Sequence, residues 1–209
     1  MKYGFGYDGI GNQTSVTVGN GSASKTLTSN SYDSRNRLTS ALYGNGQRVN
    51  YKYDSLDRPV IKYYNNDDSN STGYHTVYNA SGLVGLHKDV VNNRQTRYTY
   101  DLAQRLVRVR QNTGINKDNG AFLGALSYTY ENKTNRLSKY VVELAKQSGT
   151  RKVTTSFNYG SKYGDMMQDA VYLVKQNNVT HLMYKYDALG RKTTLTMAMG
   201  GANKPIYYT

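Results

Sequence analysis

The sequence predicts an all-β protein, made of tandem antiparallel hairpins that zip side by side into one long, twisted, curled sheet. Three observations carry this. A Tyr-x-Tyr-Asp signature recurs along the chain, turn-forming residues separate its copies, and the aromatic content is almost entirely tyrosine. The 209 residues include 22 Tyr, 3 Phe and no Trp. A Tyr ring is apolar while its hydroxyl needs a partner, so such a chain suits half-wet sheet surface more than a thick aliphatic interior. The hydrophobic content of 37% points the same way.

The signature stands in full at Tyr51-Lys52-Tyr53-Asp54, Tyr98-Thr99-Tyr100-Asp101 and Tyr184-Lys185-Tyr186-Asp187. Tyr128-Thr129-Tyr130-Glu131 has Glu last, Phe5-Gly6-Tyr7-Asp8 has Phe first, and Ser31-Tyr32-Asp33 keeps the second aromatic alone. Val77-Tyr78-Asn79 and Phe157-Asn158-Tyr159-Gly160 are degenerate copies. The second Tyr therefore falls at 7, 32, 53, 78, 100, 130, 159 and 186, at intervals of 21 to 30 residues. That period fits one supersecondary unit per repeat. Residues 1–209 are accordingly expected to form a single array of about eight repeats. The chain opens inside one Tyr strand and closes where a ninth repeat is due, so the array is expected to be truncated at both ends, with exposed edges that invite pairing with another copy.

Each part of the repeat has a local reason. Alternate residues of a strand share a face, so Tyr-x-Tyr places both rings on one side and Lys or Thr on the other. Tyr rows on neighbouring strands are then expected to pair ring to ring. The Asp opens a turn, because its carboxylate accepts from nearby backbone N–H groups. Gly, Asn, Asp or Gln follows three residues later, a place for positive φ, and Arg usually comes next; Asp187-Ala188-Leu189-Gly190-Arg191 is the fullest copy. Arg-Leu starts the return strand, as in Arg105-Leu106-Val107-Arg108-Val109. Gly44-Asn45-Gly46 and Asp118-Asn119-Gly120 signal the second turn strongly; Asn92-Asn93, Ser148-Gly149 and Asn177-Asn178 signal it weakly. The tracts Ser138 to Lys146 and Lys162 to Ala170 read as strand or loop, and Gly19 to Ser24 and Asn65 to Thr72 as polar loops. About sixteen strands result, and because a lone hairpin is barely stable in water, stability is expected to accrue along the stack.

Composition narrows the function classes. With no Cys there is no disulfide, thiol nucleophile or thiolate metal site. The net charge of +13 favours anionic partners, but the basic residues are scattered singly, as on a solvated surface. No apolar run approaches the ~18 residues of a membrane span. Met1-Lys2-Tyr3-Gly4-Phe5 leads into no apolar segment, so no targeting segment is read in this chain.

The Tyr-Asp copies followed by Gly/Asn-Arg resemble the YD repeats of the Rhs (rearrangement hotspot) family over nearly the whole chain. That family includes bacterial Rhs and wall-associated polymorphic toxins, shell proteins of toxin complexes, and teneurins. The resemblance implies a segment of a hollow β-shell around a C-terminal toxin or cargo, open because so few strands do not close it. It also implies an extracellular or cell-surface parent, with flanking YD repeats and the enclosed cargo as partners. The family's Asp-Pro-x-Gly sequence has no counterpart here, since Pro59 and Pro205 are the only prolines and neither follows Asp. Neither self-cleavage nor toxicity is expected of this segment.

No catalytic, cofactor or metal site is read from the residues. His75, His87 and His181 lack metal-ligand spacing, and one carboxylate per repeat is far from the six to eight oxygens of a calcium site. The expected structural set is Tyr7, Asp8, Tyr32, Asp33, Tyr51, Tyr53, Asp54, Tyr98, Tyr100, Asp101, Tyr128, Tyr130, Tyr184, Tyr186, Asp187, Gly190 and Arg191. Tyr63, Tyr64, Tyr74 and Tyr172 lie outside the motif and are candidates for ligand contact. The expected function is a scaffold segment without catalysis. The alternative is a module that binds a glycan or an anionic cell-wall polymer through exposed Tyr and basic residues. Nucleic acid is the least favoured partner.

Overall fold

The structure, a computed structural model, describes residues 1–20, 23–65, 72–115, 120–160, 170–199 and 202–207. The all-β prediction holds: these residues form 17 strands and no helix, and each strand pairing given below is antiparallel. Contacts divide the chain into two compact units, residues 1–96 with 112–121, and residues 97–111 with 122–209.

In the first unit lie β1 (Lys2–Tyr7), β2 (Gln13–Asn20), β3 (Ala23–Tyr32), β4 (Leu38–Tyr43), β5 (Arg48–Tyr53), β6 (Pro59–Tyr64), β7 (Tyr74–Tyr78) and β8 (Val84–Asp89). Each pairs with the next in chain order, a simple meander. The strands β9 (Arg94–Tyr100) and β10 (Leu106–Thr113) contribute residues to both units. The second unit continues with β11 (Phe122–Tyr130), β12 (Leu137–Ala145), β13 (Thr150–Tyr159), β14 (Val171–Gln176), β15 (Val179–Tyr186), β16 (Lys192–Met199) and β17 (Ala202–Tyr207), again paired in succession.

Several expectations are refined. Ser138 to Ala145 is strand, within β12. The loop expected over Gly19 to Ser24 is shorter, because Gly19 pairs with Ser24 and Asn20 with Ala23 at the ends of β2 and β3. Residues 161–169, 66–71 and 118–119, which hold most of the ambiguous Lys162 tract, most of the Asn65 loop and the Asp118-Asn119 turn signal, lie outside the described residues. The return strands start one residue after the Arg, at Leu38, Pro59 and Leu106.

A one-residue register shift recurs at the second aromatic of the signature, between Gly6 and Tyr7, Ser31 and Tyr32, Lys52 and Tyr53, Val77 and Tyr78, Thr129 and Tyr130, Asn158 and Tyr159, and Lys185 and Tyr186. The extra residue sits on the return strand. Thr39 is one such, and its hydroxyl donates to the Ser31 carbonyl at 3.1 Å; Ser138 does the same to Thr129 at 3.0 Å. A bulge re-aims the neighbouring side chains and adds local twist.

Burial is shallow. Ala41, Val49 and Ala125 are the buried apolar residues among those described, and no large side chain is fully buried. The polar residues Asn50 and Asn112 are buried and donate to the Asn65 and Gly120 carbonyls, at 2.6 and 2.7 Å. Stability in such a sheet rests on ladders and on contacts along its faces rather than on a deep core.

Candidate functional site

The element that recurs is the turn after each Tyr, and it is built the same way each time. In the second repeat, Asp33 N–H donates to the Arg37 carbonyl and Asn36 N–H to the Asp33 carbonyl, both at 3.0 Å. The Asp33 carboxylate oxygen Oδ1 accepts from the N–H groups of Arg35 and Arg37, and Oδ2 from Arg37 Nε at 2.7 Å. Asp54 with Arg58, Asp101 with Arg105 and Asp187 with Arg191 repeat this set, each with Nε to Oδ2 at 2.7 Å. Asp8 takes Asn12 instead of Arg, and Asn79 uses Oδ1 alone, with Leu83 where Arg stands elsewhere. Glu131 reaches Arg136 across a turn one residue longer and also accepts a short bond from Thr134.

The residue before the one that closes each of these turns has positive φ: Gly11 92°, Asn36 62°, Asp57 62°, Gly82 80°, Gln104 61°, Asn135 59° and Gly190 81°. That left-handed region costs a residue with a Cβ roughly 1–2 kcal/mol unless something offsets it. At three of the non-glycine positions a contact from the preceding turn does so. Arg37 Nη1 lies 2.6 Å and Arg35 Nη1 3.0 Å from Asp57 Oδ1, Arg105 Nη1 lies 2.6 Å from Asn135 Oδ1, and Asn12 Nδ2 lies 3.4 Å from Asn36 Oδ1.

The same arginines reach the next repeat in a second way. The guanidinium carbon of Arg37 lies 4.7 Å from the centre of the Tyr53 ring, that of Arg58 4.2 Å from Tyr78, that of Arg105 4.6 Å from Tyr130 and that of Arg136 4.5 Å from Tyr159. The Tyr hydroxyls then donate to the first carbonyl of the preceding return strand. Tyr53 donates to Leu38 at 2.8 Å, Tyr78 to Pro59 at 3.0 Å, Tyr130 to Leu106 at 2.9 Å and Tyr159 to Leu137 at 2.7 Å. Tyr32 to Gln13 and Tyr186 to Val171 follow suit at 2.9 and 2.8 Å. Asp, Arg and the next Tyr thus form a ladder: the carboxylate fixes the guanidinium, the guanidinium covers the ring, and the ring's hydroxyl closes the strand end.

The expected ring-to-ring pairing of the motif tyrosines is corrected here. In a meander each Tyr strand is separated from the next by a return strand, so the two dyads stand about 10 Å apart, two strand spacings. The Arg of the turn fills that gap. The ring pairs given by the described residues are Tyr64 with Tyr74 (6.4 Å) and Tyr74 with His87 (5.4 Å, stacked), off the motif, and Tyr140 with Phe157 (5.9 Å), the first aromatic of a degenerate copy against a residue of its return-strand neighbour β12.

Electrostatics follow the geometry. The bonds from Arg37 and Arg58 hold the Asp33 and Asp54 carboxyls below the ordinary aspartate range, and backbone bonds from Arg105 and Arg191 lead the same effect at Asp101 and Asp187. Asn12 lowers Asp8. Burial pushes the Tyr53, Tyr159 and Tyr186 phenols up.

The first aromatics Tyr51, Tyr98 and Tyr128 are half-buried on β5, β9 and β11, and Tyr184 lies under Lys192 Nζ at 4.8 Å. Of the ligand candidates, Tyr64 and Tyr74 pack on each other with Lys62 Nζ over Tyr64 at 5.8 Å, Tyr63 lies under Lys52 Nζ at 5.4 Å, and Tyr172 is half-buried on β14 of the second unit. Beside them His75 Nε2 is buried without a hydrogen bond, and burial lowers the pKa of its ring. The residues missed by sequence reasoning are Arg37, Arg58, Arg105 and Arg136 as ring-covering groups. For the first three the signal was present, an Arg five residues after the second Tyr, but nothing in it says which ring the Arg meets.

No family model matches the chain, and no curated protein matches it. Solved structures do. The crystal structure of TcdB2-TccC3-TEV superposes with a TM-score of 0.61 at 13% identity, over 99% of this chain and 12% of that one. A second TcdB2-TccC3 crystal structure gives 0.60 at 14%, with the same coverage. The Photorhabdus luminescens Tc holotoxin pore gives 0.57 at 12%, over 99% of this chain and 13% of that one. The likeness is one of fold, and this chain spans about an eighth of the length of those it resembles.

Proposed function

We propose that this chain is a structural segment of a YD-repeat shell of the Rhs type, in a secreted or cell-surface protein whose flanking repeats complete an enclosure for a C-terminal toxin or other cargo. The carrying observation is the Asp–Arg–Tyr ladder. It spends the charged and aromatic side chains of the motif on joining one repeat to the next. Such a device supports a continuous wall, since the same joint recurs at Arg37–Tyr53, Arg58–Tyr78, Arg105–Tyr130 and Arg136–Tyr159. The fold shared with the TcdB2-TccC3 chains supports the same reading. In it the segment performs no catalysis; the carboxylates of Asp33, Asp54, Asp101 and Asp187 are held in their turns, and the hydroxyls of Tyr32, Tyr53, Tyr78, Tyr130, Tyr159 and Tyr186 donate to backbone carbonyls.

Protease protection tests the proposal. The natural polypeptide carrying this segment, treated with trypsin under native conditions, is expected to leave a resistant β-rich body that releases an inner fragment only on denaturation. Cleavage of everything downstream of the repeats at the rate of the denatured chain would overturn the enclosure.

A further inference from the structure

We propose that His75 makes the seam between β6 and β7 an acid-operated joint, closed while its imidazole is neutral and opening at the Tyr64–Tyr74 end when the ring takes up a proton. The ladder there is short. β6 is paired with β5 from Pro59 to Tyr64, and β7 with β8 from Tyr74 to Tyr78. Between β6 and β7 the described ladder joins Ile61 to His75 and Lys62 to Tyr74. The two ends of the seam differ as well. At the turn end the Tyr78 hydroxyl donates to the Pro59 carbonyl, and the Arg58 guanidinium covers the Tyr78 ring. At the other end stand the edge-on rings of Tyr64 and Tyr74, with the Thr72 hydroxyl donating to the Tyr64 carbonyl at 3.3 Å. The Asp–Arg–Tyr ladder fixes one end, and the short stretch about His75 holds the rest.

His75 stands in a row that crosses four strands. Lys52 pairs with Ile61, Ile61 with His75 and His75 with Lys88, and residues paired across a ladder share a face. The groups facing the ring are therefore Lys88 on β8, Ile61 and Tyr63 on β6, and Lys52 on β5, whose ammonium lies over Tyr63 at 5.4 Å. Arg48 shares that face at the far end of β5, where it reaches Ser40 Oγ. Among the described residues the row holds two cations and no carboxylate. Lys62 and Asp89, both paired with Tyr74, and His87, paired with Thr76, are on the opposite face. His75 Nε2 is buried without a hydrogen bond. A neutral ring leaves one dry nitrogen there. An imidazolium adds a charge between two ammonium groups and a donor with nothing to accept its proton. Burial first, then Lys88 and Lys52, hold the imidazole pKa below its ordinary 6.5, a value that an opened seam restores. The closed seam thus has its full stability above the ordinary value of 6.5 and loses it as pH falls from there towards the lowered one.

Hydrogen–deuterium exchange of the full chain at about pH 7.5 and about pH 5.5, corrected for intrinsic exchange, tests the joint. Protection of residues 61–64 and 74–76 should fall about three-fold or more at the lower pH, the scale set by one proton taken up on opening. Protection of β12 should stay unchanged. His75→Gln should abolish the fall, and His87→Gln, on the opposite face, should keep it. Lys88→Gln removes one of the two facing cations and should shrink it, which keeps the test open where His75→Gln fails to fold. The His75 ring, followed by proton–carbon NMR, should titrate below 6.5 in the parent and closer to that value in Lys88→Gln. Undiminished protection at about pH 5.5, an equal fall in every strand, or a fall that survives His75→Gln would overturn the proposal. So would a His75 midpoint at or above the ordinary value. The inference rests on the sheet alone, so the protease-protection experiment and this one fail separately.

Discussion

Arg58 and Tyr78 belong to consecutive repeats, and the guanidinium of the first lies 4.2 Å from the ring centre of the second. The same Arg holds Asp54 Oδ2 through Nε at 2.7 Å, so one side chain closes its own turn and covers the next ring. A planar fork does both at once, and an ammonium does not. Arg58→Lys is therefore expected to cost about 1 kcal/mol in urea denaturation, close to the cost of Arg58→Ala, since an exposed cation–ring contact contributes roughly 0.5–1 kcal/mol. A lysine variant as stable as the parent would show that charge alone suffices.

The Tyr hydroxyls make a second series. Tyr53→Phe and Tyr130→Phe each leave a strand-end carbonyl without its donor, and each should lose about 1 kcal/mol, the usual net value of one hydrogen bond. Tyr7→Phe removes a hydroxyl with no such acceptor among the described residues and should change the urea midpoint by nothing measurable. Equal losses at all three positions would mean the bonds to Leu38 and Leu106 contribute nothing.

The left-handed turn position separates backbone from side-chain roles. Gln104 sits at φ 61°, after a repeat whose turn offers Leu83 in place of Arg. Gln104→Gly should be neutral or stabilising by roughly 0.5 kcal/mol, and Gly190→Ala, at φ 81°, should cost about 1 kcal/mol. Asp57→Gly relieves the same strain but releases Arg35 and Arg37, so it should gain less than Gln104→Gly. Thermal midpoints of the three variants give the order.

Acid sensitivity follows from the carboxylates. Asp8, Asp33, Asp54, Asp101 and Asp187 all titrate below the ordinary aspartate value of 3.8 in the folded chain. A group with a depressed folded pKa contributes stability above its unfolded pKa and loses it as pH falls through the folded one. The urea midpoint should therefore be insensitive to these groups above about pH 5 and fall steadily below about pH 4. A chain with Asp33, Asp54 and Asp101 all changed to Asn should show a shallower fall.

The fold was legible because its signals are local. Tyr51-Lys52-Tyr53 alternates as a strand does, and the turn after Asp54 carries a residue tolerant of φ 62° at Asp57. Asn177 and Asn178 gave a weak turn signal, yet both take positive φ, 49° and 66°, in a two-residue hairpin. What stayed hidden depends on register between strands distant in sequence. Nothing in the spacing of Arg37 says that its guanidinium meets Tyr53 rather than water, or that Leu38 supplies a carbonyl to a hydroxyl 15 residues away. The expectation of Tyr-on-Tyr rows failed for the same reason, because it overlooked the return strand lying between successive Tyr strands.

A double-mutant cycle between Arg58 and Tyr78 tests the ladder most directly. Urea unfolding of the parent, Arg58→Ala, Tyr78→Leu and the double variant yields the coupling between two side chains 20 residues apart in sequence. The ladder predicts a favourable coupling of about 0.5–1 kcal/mol. Additivity within about 0.3 kcal/mol would contradict it.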